Sequence, residues 1–529
     1  MERNFADVFE AAADAVPNRE AVVCGDRRLT YGGLEERANR LAHHLADAGI
    51  GRGDHVACYL PNGPEYLEAM LAAHKLRAAT VNVNWRYVAE ELRYLLTDSD
   101  AKAVVYDARF APVLAQVVGD LPLLRTRLLV GGDPAPEEVG ATRYEEALAA
   151  SSPERDFPTR SGEDLYVLYT GGTTGMPKGV LWHQAGILSG SLGDLDGAQS
   201  REEVAERARR GRDRALPACP LMHGAAQWVS LATLFGGGTV VFDPEMRLDA
   251  RRLARLLAAE RISVLTVVGD AVGRPLADAL SELDDGLDLS TMRVVINSGA
   301  FLSPPVKDAL LERLPGAVVY DTFGSSESGT FARTVSGRGE TPAQGRFMVS
   351  EHAAVLDDTL TPIAPGSGRV GRLARSGDVA LGYYNDPQKS AATFPVIDGV
   401  RWCVTGDHAT VEADGTIVLL GRGSACINTG GEKVYPDEVE AALKSHPGIA
   451  DAMVVGLPDE LFGERVVALV VPRSGGAPPE DLDAHVRRHV AGYKAPRAVV
   501  AVDAIERFPS GKPDYGWGRE TAGALLAVE

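Results

Sequence analysis

The residues with the clearest capacity for chemistry lie in Leu168-Tyr169-Thr170-Gly171-Gly172-Thr173-Thr174-Gly175-Met176-Pro177-Lys178-Gly179. Glycines let a backbone approach a polyphosphate closely and turn its N–H groups toward it. The hydroxyls of Thr170, Thr173 and Thr174 add donors, and Lys178 adds a positive charge. An apolar strand at Leu165–Leu168 leads into the loop, and together these features outweigh a plain surface loop. It is not a Walker A loop, because Gly175 is followed by Met-Pro rather than Lys-Ser or Lys-Thr. A kinase-like or motor-like ATPase is thereby disfavoured. A second glycine pattern, Gly366-Ser367-Gly368-Arg369-Val370-Gly371, follows Pro365 and opens no helix, so it is no dinucleotide fingerprint.

Other constellations carry less. His485 and His489 sit at i, i+4, but Arg487 and Arg488 lie between them and no third ligand is near, which reads as a solvated helix face rather than a metal site. The five cysteines are scattered without CxxC spacing, and the first residues show neither a basic n-region nor an apolar h-region. A cytoplasmic protein is the expectation. No stretch approaches the ~20 apolar residues of a membrane span. A net charge of −19 argues against nucleic acid as partner, which calls for a basic face. Anionic ligands must then be met locally, by N–H groups, a few cations and a metal. The one basic run, Arg207 to Arg214, follows the mixed segment Arg201–Glu206 and reads as a solvated, mobile excursion.

The elements that must position the loop follow from periodicity. The chain has 529 residues, 45% apolar and 24% charged, which suits about three to four folding units. Leu34, Ala38, Leu41, Ala42, Leu45 and Ala48 mark a helix that Gly49 stops. Val56–Leu60, a helix from about Glu65 to Arg77 and Thr80–Val83 form a βαβ unit, with further strands at Val104–Tyr106 and Leu128–Val130. Beyond the basic run, a helix at Ala225–Phe235 leads to Thr239–Phe242, and one near Arg251–Glu260 leads to Val264–Val268. Strands at Arg293–Asn297 and Val318–Asp321 follow. Such alternation predicts parallel, doubly wound α/β sheets with ligands at the carboxyl ends of strands. From about Gly345 to Gly421 the texture is all-β, and a compact α+β tail follows Arg422. The expected division is 1–421, a large amino-terminal unit with its β-rich subdomain, and 422–529, a small mobile one. Within the tail, Pro436 marks a helix start and the run Pro472–Pro479 a surface connection.

With its phosphate loop, the sequence resembles the adenylate-forming superfamily of acyl-CoA synthetases, peptide-synthetase adenylation domains and luciferases. Further motifs recur in the family's order: Phe323-Gly324-Ser325-Ser326-Glu327, Thr405-Gly406-Asp407, Gly421-Arg422, the segment from Gly430-Gly431-Glu432 to Glu440, and Pro509-Ser510-Gly511-Lys512. Phe323 stands where Tyr is usual and Ser326 where Thr is usual, each keeping the relevant face or hydroxyl. Ser424 departs from the acidic residue or lysine common at the family's hinge. The runs Asn82–Tyr87 and Cys426–Lys433 look most like actinobacterial fatty-acid and steroid side-chain CoA ligases.

The resemblance implies an enzyme that joins a carboxylic acid to coenzyme A through an acyl adenylate, using ATP and Mg²⁺. A carrier protein or another nucleophile is the alternative acceptor, and a homodimer is compatible with it. The phosphate-binding residues are then Thr170 to Gly175 with Lys178, and Glu327 holds Mg²⁺. Phe323 stacks on adenine opposite Gly299 and Ala300, Gly324 and Ser326 flank the nucleotide, and Asp407 with Arg422 takes the ribose. His223, Gly224 and Trp228 line the acyl pocket; for His223 and Trp228 a core-packing role stays open. Gly430, Gly431 and Glu432 face CoA. The tail swings about Arg422, so that Lys512 serves adenylation and the Gly430–Glu432 hairpin serves thioester formation. Because two anions must meet at the α-phosphate, positioning and charge neutralisation carry most of the rate. Lys512→Ala is therefore expected to abolish adenylation while sparing thioester formation from a supplied acyl adenylate. Separate assays of the two half-reactions check this, and equal loss of both contradicts it.

Overall fold

The computed structural model describes residues 3–132, 139–171, 176–192, 200–283, 286–299, 302, 304–339, 346–347, 352–422, 427–434, 436–473, 476–506 and 514–527. The sequence of elements is a mixed α/β one. An eight-stranded sheet runs in the order Gly329–Ser336, Val318–Ser325, Val294–Asn297, Val264–Val267, Arg214–Pro217, Thr239–Phe242, Glu20–Cys24, Arg27–Thr30. Its interior is parallel, and its two edge strands are antiparallel. A five-stranded parallel sheet takes Ala79–Asn82, His55–Tyr59, Ala101–Asp107, Thr126–Val130 and Thr142–Arg143. Helices that follow the strands, such as Pro64–Lys75 and Ala250–Ala259, bury their apolar faces on these sheets. Among the described residues no helix is long and apolar enough to cross a membrane.

The phosphate segment is an antiparallel hairpin rather than a strand feeding a helix. Leu165–Gly171 pairs with Pro177–His183, with Thr170 opposite Lys178 and Gly171 opposite Pro177. Gly382–Tyr383 completes this three-stranded sheet by pairing with Leu181 and Val180. The segment expected to be all-β does supply an antiparallel six-stranded sheet, but it also carries the helix Pro387–Thr393, opened by the Asp386 side chain as N-cap. In the tail, Ile427–Thr429, Glu432–Val434, Gly463–Pro472, Ile449–Asp459 and Ala498–Ala501 form a separate five-stranded sheet, and a helix does start at Pro436.

The basic run departs most from expectation. Of the run Arg207 to Arg214, expected to be a mobile excursion, Arg214 opens the strand Arg214–Pro217, while residues 207–210 end the helix Arg201–Arg210. Ser200 and Glu203 close a capping box at its start, and acids in the first turn with arginines in the last match the helix dipole. Val204, Ala205 and Ala208 are buried, and Arg19 Nη1 donates to the carbonyls of Ala208, Gly211 and Gly237 at 2.6, 2.8 and 2.8 Å. Arg209, Arg210 and Arg212 are exposed, as the charge pattern suggests, but a short apolar stripe and one distant arginine hold the backbone in place.

The amino-terminal core also holds a charge with no access to water. Lys75, 0% exposed, donates to Glu10 Oε1 at 2.7 Å and Glu35 Oε1 at 2.8 Å. Arg160 and Arg155 extend the network to Asp7 and Asp14. Burial pushes the Glu10 carboxyl up, but Lys75 and Arg160 outweigh it and hold it below its ordinary value. A carboxyl depressed in this way stabilises the fold above the ordinary carboxylate range and loses that contribution as pH falls through its folded value. Lys75→Met is expected to cost about 3 kcal/mol of stability, because it strands buried carboxylates. Denaturant unfolding checks this, and the loss should shrink in acid.

Candidate functional site

A cavity of about 400 Å³ opens where the two large sheets, the phosphate hairpin and the tail meet. Thr170 reaches it from the end of its strand, and Gly299 and Ser298 come from the turn after Val294–Asn297. Phe323, Gly324, Ser325 and Ser326 come from Val318–Ser325 and the turn beyond it. The strand continues past Asp321, so the Phe323-Gly324-Ser325 motif is backbone-paired to Ala332, Thr330 and Gly329. Cβ atoms at Gly324 would meet the Gly329 carbonyl oxygen at 2.3 Å, which explains a glycine there. The Phe323 ring packs on Phe331 and Phe347 at centroid distances of 6.0 and 5.4 Å.

The Trp182 indole donates to the Ser326 carbonyl at 2.8 Å. Glu327 does not line the cavity. Its Oε1 accepts from the Tyr383 hydroxyl at 2.9 Å, which fixes the carboxyl beside the Ser325–Ser326 turn. Lys178 forms an ion pair with Asp386, and Tyr169, opposite Gly179 in the hairpin, donates from its hydroxyl to Asp98 at 2.8 Å. Asp407 is buried in Val400–Val411, opposite Arg422 in register, and it too lies off the cavity wall. Gly172, Thr173, Thr174, Gly175, Ala300 and Lys512 lie outside the described residues, as does Ser424 at the expected hinge.

His223 caps the helix Gly224–Phe235 from a β conformation, and its segment is held from two sides. The Asn62 side chain accepts from Leu221 N at 2.7 Å and donates to Cys219 O at 3.0 Å. The Asn82 amide donates to Met222 O and Tyr169 O, both at 2.7 Å, and its carbonyl accepts from Tyr169 N at 2.7 Å. Asn82 thus sets the phosphate hairpin and the His223 segment against each other. Along the helix, Gly224, Ala225, Trp228, Val229 and Ala232 face the cavity at helical spacing. The Trp228 indole donates to Tyr166 Oη at 3.2 Å, and Tyr166 donates to Gln227 Oε1 at 2.8 Å. Trp228 therefore both lines the cavity and is locked by the core.

A second cavity of about 300 Å³ lies on the far side of the tail's hairpin and shares Cys219, His223, Val268, Gly431 and Glu432 with the first. The hairpin can reach this junction because Gly430 and Gly431 take φ of +59° and +82°. A Cβ on Gly431 would stand 2.0 Å from Val268 Cγ1. Glu432 then lands between Arg86 Nη1 at 2.6 Å and His223 Nε2 at 3.2 Å. Burial pushes its carboxyl up, but His223, Arg86 and Lys494 prevail and hold it at about 2. Arg86 is itself stacked over Trp85 at 4.7 Å and Tyr493 at 5.5 Å. Sequence reading marked Glu432 and His223 separately. It singled out the run Asn82–Tyr87 only as a resemblance, and it did not find that Arg86 pairs with Glu432, Asn82 with the Met222 carbonyl, Tyr383 with Glu327 or Asp386 with Lys178, since the partners are distant in the chain. His485 and His489 contact Ser445 and Glu90, respectively. Among the described residues no cluster of three or more His, Cys, Asp or Glu could hold a metal ion.

The AMP-binding enzyme family model matches residues 9–384, and that of the AMP-binding enzyme C-terminal domain matches residues 438–512. A 3-oxocholest-4-en-26-oate–CoA ligase of Rhodococcus rhodochrous is 45% identical, over 100% of this chain and 98% of its own length. A medium-chain acyl-CoA ligase of Mycobacterium avium is 45% identical over 97% of both. Among solved structures, an amide bond synthetase from Marinactinospora thermotolerans superposes with a TM-score of 0.80 at 26% identity, covering 98% of this chain and 99% of that one. The chain belongs to the AMP-binding enzyme family.

Proposed function

We infer that the protein is an AMP-forming acid–CoA ligase. The carboxylate of the acid attacks the α-phosphorus of ATP, pyrophosphate leaves, and an acyl adenylate remains in the larger cavity. The sulfur of CoA then attacks the acyl carbonyl carbon, the bond to the phosphate oxygen breaks, and AMP leaves with acyl-CoA. The observation that carries this reading is the meeting of the two cavities at Gly431, Glu432 and His223. A thiol arriving through the smaller cavity meets an acyl group held in the larger one only there. The relatives named as CoA ligases, aligned from end to end, support CoA as the acceptor.

The roles of individual residues belong to the same reading. Thr170, Gly171 and Lys178, with the loop between them, hold the phosphates, and Asp386 keeps Lys178 in place until they arrive. Glu327, a carboxylate fixed by the Tyr383 hydroxyl, is a hard oxygen donor suited to Mg²⁺, which would supply charge neutralisation at the phosphates. Gly299 and Phe323 flank the adenine, and Asp407 with Arg422 takes the ribose. The wall built from Leu168, Met222, Ala225, Trp228, Val229 and Ile296 suits an apolar monocarboxylate of the fatty or steroid side-chain class. We propose a division at 421/422, a carboxyl-terminal unit that rotates to bring Lys512 in for adenylation, and work in the cytoplasm.

Gly431→Leu is expected to lower acyl-CoA formation at least about tenfold, the loss that ~1.4 kcal/mol brings, because its Cβ meets Val268. Pyrophosphate should still be released in a single turnover, with acyl adenylate accumulating; normal acyl-CoA yield removes the hairpin from the thiol path. Glu327→Gln is expected to raise the Mg²⁺ concentration needed for half-maximal pyrophosphate release without changing the thermal melt. An unchanged Mg²⁺ titration excludes the metal role.

A further inference from the structure

The segment from His489 to Lys494 ends the helix Leu482–His489 and crosses to the first turn of the helix Ala89–Asp98. Several contacts join the tail to the amino-terminal unit here. His489 Nδ1 lies 3.0 Å from Glu90 Oε2, and Asn84 donates to the Tyr493 hydroxyl at 3.3 Å. Ala491 is fully buried in the core cluster of Tyr87, Leu92 and Leu95. The strongest contact is charged. Lys494 Nζ donates to Glu91 Oε1 at 2.7 Å and to Glu438 Oε2 at 2.8 Å. Glu91 belongs to the amino-terminal unit, while Glu438 lies on the tail's helix Pro436–Lys444, directly behind the Gly430–Glu432 hairpin.

Two features make this more than a surface pair. Lys494 and Glu91 are each only 4% exposed, so Glu91 left without the ammonium in the closed seam would be an uncompensated buried charge, while Lys494 without Glu91 would keep only Glu438. Glu91 is also fixed before the lysine arrives. Its Oε2 accepts from Val88 N at 3.2 Å, closing the turn of its own helix, where the helix dipole favours a carboxylate. In the arrangement the structure shows, the tail seals against this face with the ammonium on Oε1. In that same arrangement Glu432 reaches Arg86 and His223.

We propose that Lys494 is a positioning residue for the second half-reaction: its bond to Glu91 selects the orientation of the tail that seats the hairpin at the cavity junction. This rests on the ligase reading above. Lys494 tethers the hairpin's own helix through Glu438 and the opposite wall through Glu91, so a single ammonium couples the two. Removing it loosens the thioester-forming arrangement and leaves adenylation, which does not use the hairpin, intact.

The test uses the full chain with a medium-chain fatty acid, ATP, Mg²⁺ and CoA, and follows pyrophosphate and acyl-CoA in one quenched time course. Glu91→Gln keeps the turn-closing oxygen and loses the charge. It is expected to slow acyl-CoA formation at least about tenfold while single-turnover pyrophosphate release stays within about twofold of the parent. Lys494→Met, which also loses the Glu438 contact, should lose at least as much acyl-CoA formation, and the double variant should lose no more than Lys494→Met alone, since no ammonium is then left for Glu91 to bind. Retained pyrophosphate release also reports that Glu91→Gln is folded. Parent-like acyl-CoA formation by Glu91→Gln, equal loss of both half-reactions, or additive losses in the double variant overturns the proposal. A parent protein that releases pyrophosphate yet makes no thioester from CoA instead sinks the ligase reading, and this one with it.

Discussion

The placement of one carboxylate, that of Glu432, organises the site. It is anionic in a largely buried setting, so it is stable only where cations already stand. Arg86 provides one at 2.6 Å, and the His223 ring nitrogen lies 3.2 Å from the same oxygen. Arg86 follows the parallel strand Ala79–Asn82, and His223 caps a helix rising from the eight-stranded sheet. The hairpin can therefore dock only where both layers present their ends together. Charge-assisted hydrogen bonds of this kind are roughly twice as strong as neutral ones, and here they tie three separately folded layers to one point.

Steric terms cooperate with the electrostatic one. The positive-φ Gly431 brings backbone against Val268 with no room for a Cβ, and a Cβ on the positive-φ Gly430 would stand 3.0 Å from the Phe462 ring. Gly324 does the same at the other side of the cavity, where the antiparallel edge strand passes close. Small residues thus stand where backbone must approach backbone or ligand, and large ones stand where a wall is needed. Trp228 is such a wall. Its indole is held through Tyr166 and Gln227, buried side chains whose hydrogen bonds would be costly to leave unmade.

The two asparagines at 62 and 82 show how a parallel-sheet scaffold sets catalytic geometry without touching a ligand-bearing atom. Each follows a strand or ends one, and each satisfies backbone groups of the Cys219–Met222 segment. Irregular backbone near a site has N–H and C=O groups that no ladder pairs, and they must find partners elsewhere. Here the partners are amide side chains from the neighbouring sheet, so the two sheets cannot slide relative to each other without breaking them.

Much of this was legible in sequence because it is local. The phosphate loop, the Phe323–Ser326 run, the double-glycine hairpin and the strand–helix alternation are patterns of neighbouring residues, fixed by φ preference, side-chain period and turn chemistry. From them follow the fold class, the adenylate-forming resemblance and most candidate residues. The sequence misled where the basic run Arg207 to Arg214 was read as an excursion without regular structure: its first half ends the helix Arg201–Arg210, which packs through Val204, Ala205 and Ala208, and Arg214 opens a strand. Only the tertiary structure decided which charges meet. Arg86 with Glu432, Glu91 with Lys494, Tyr383 with Glu327 and Asp386 with Lys178 are pairs separated by tens to hundreds of positions. A chain's local pattern sets which groups exist and which way they point along an element, but a pair is made by two elements packing. Packing depends on how apolar faces from the whole chain are buried at once.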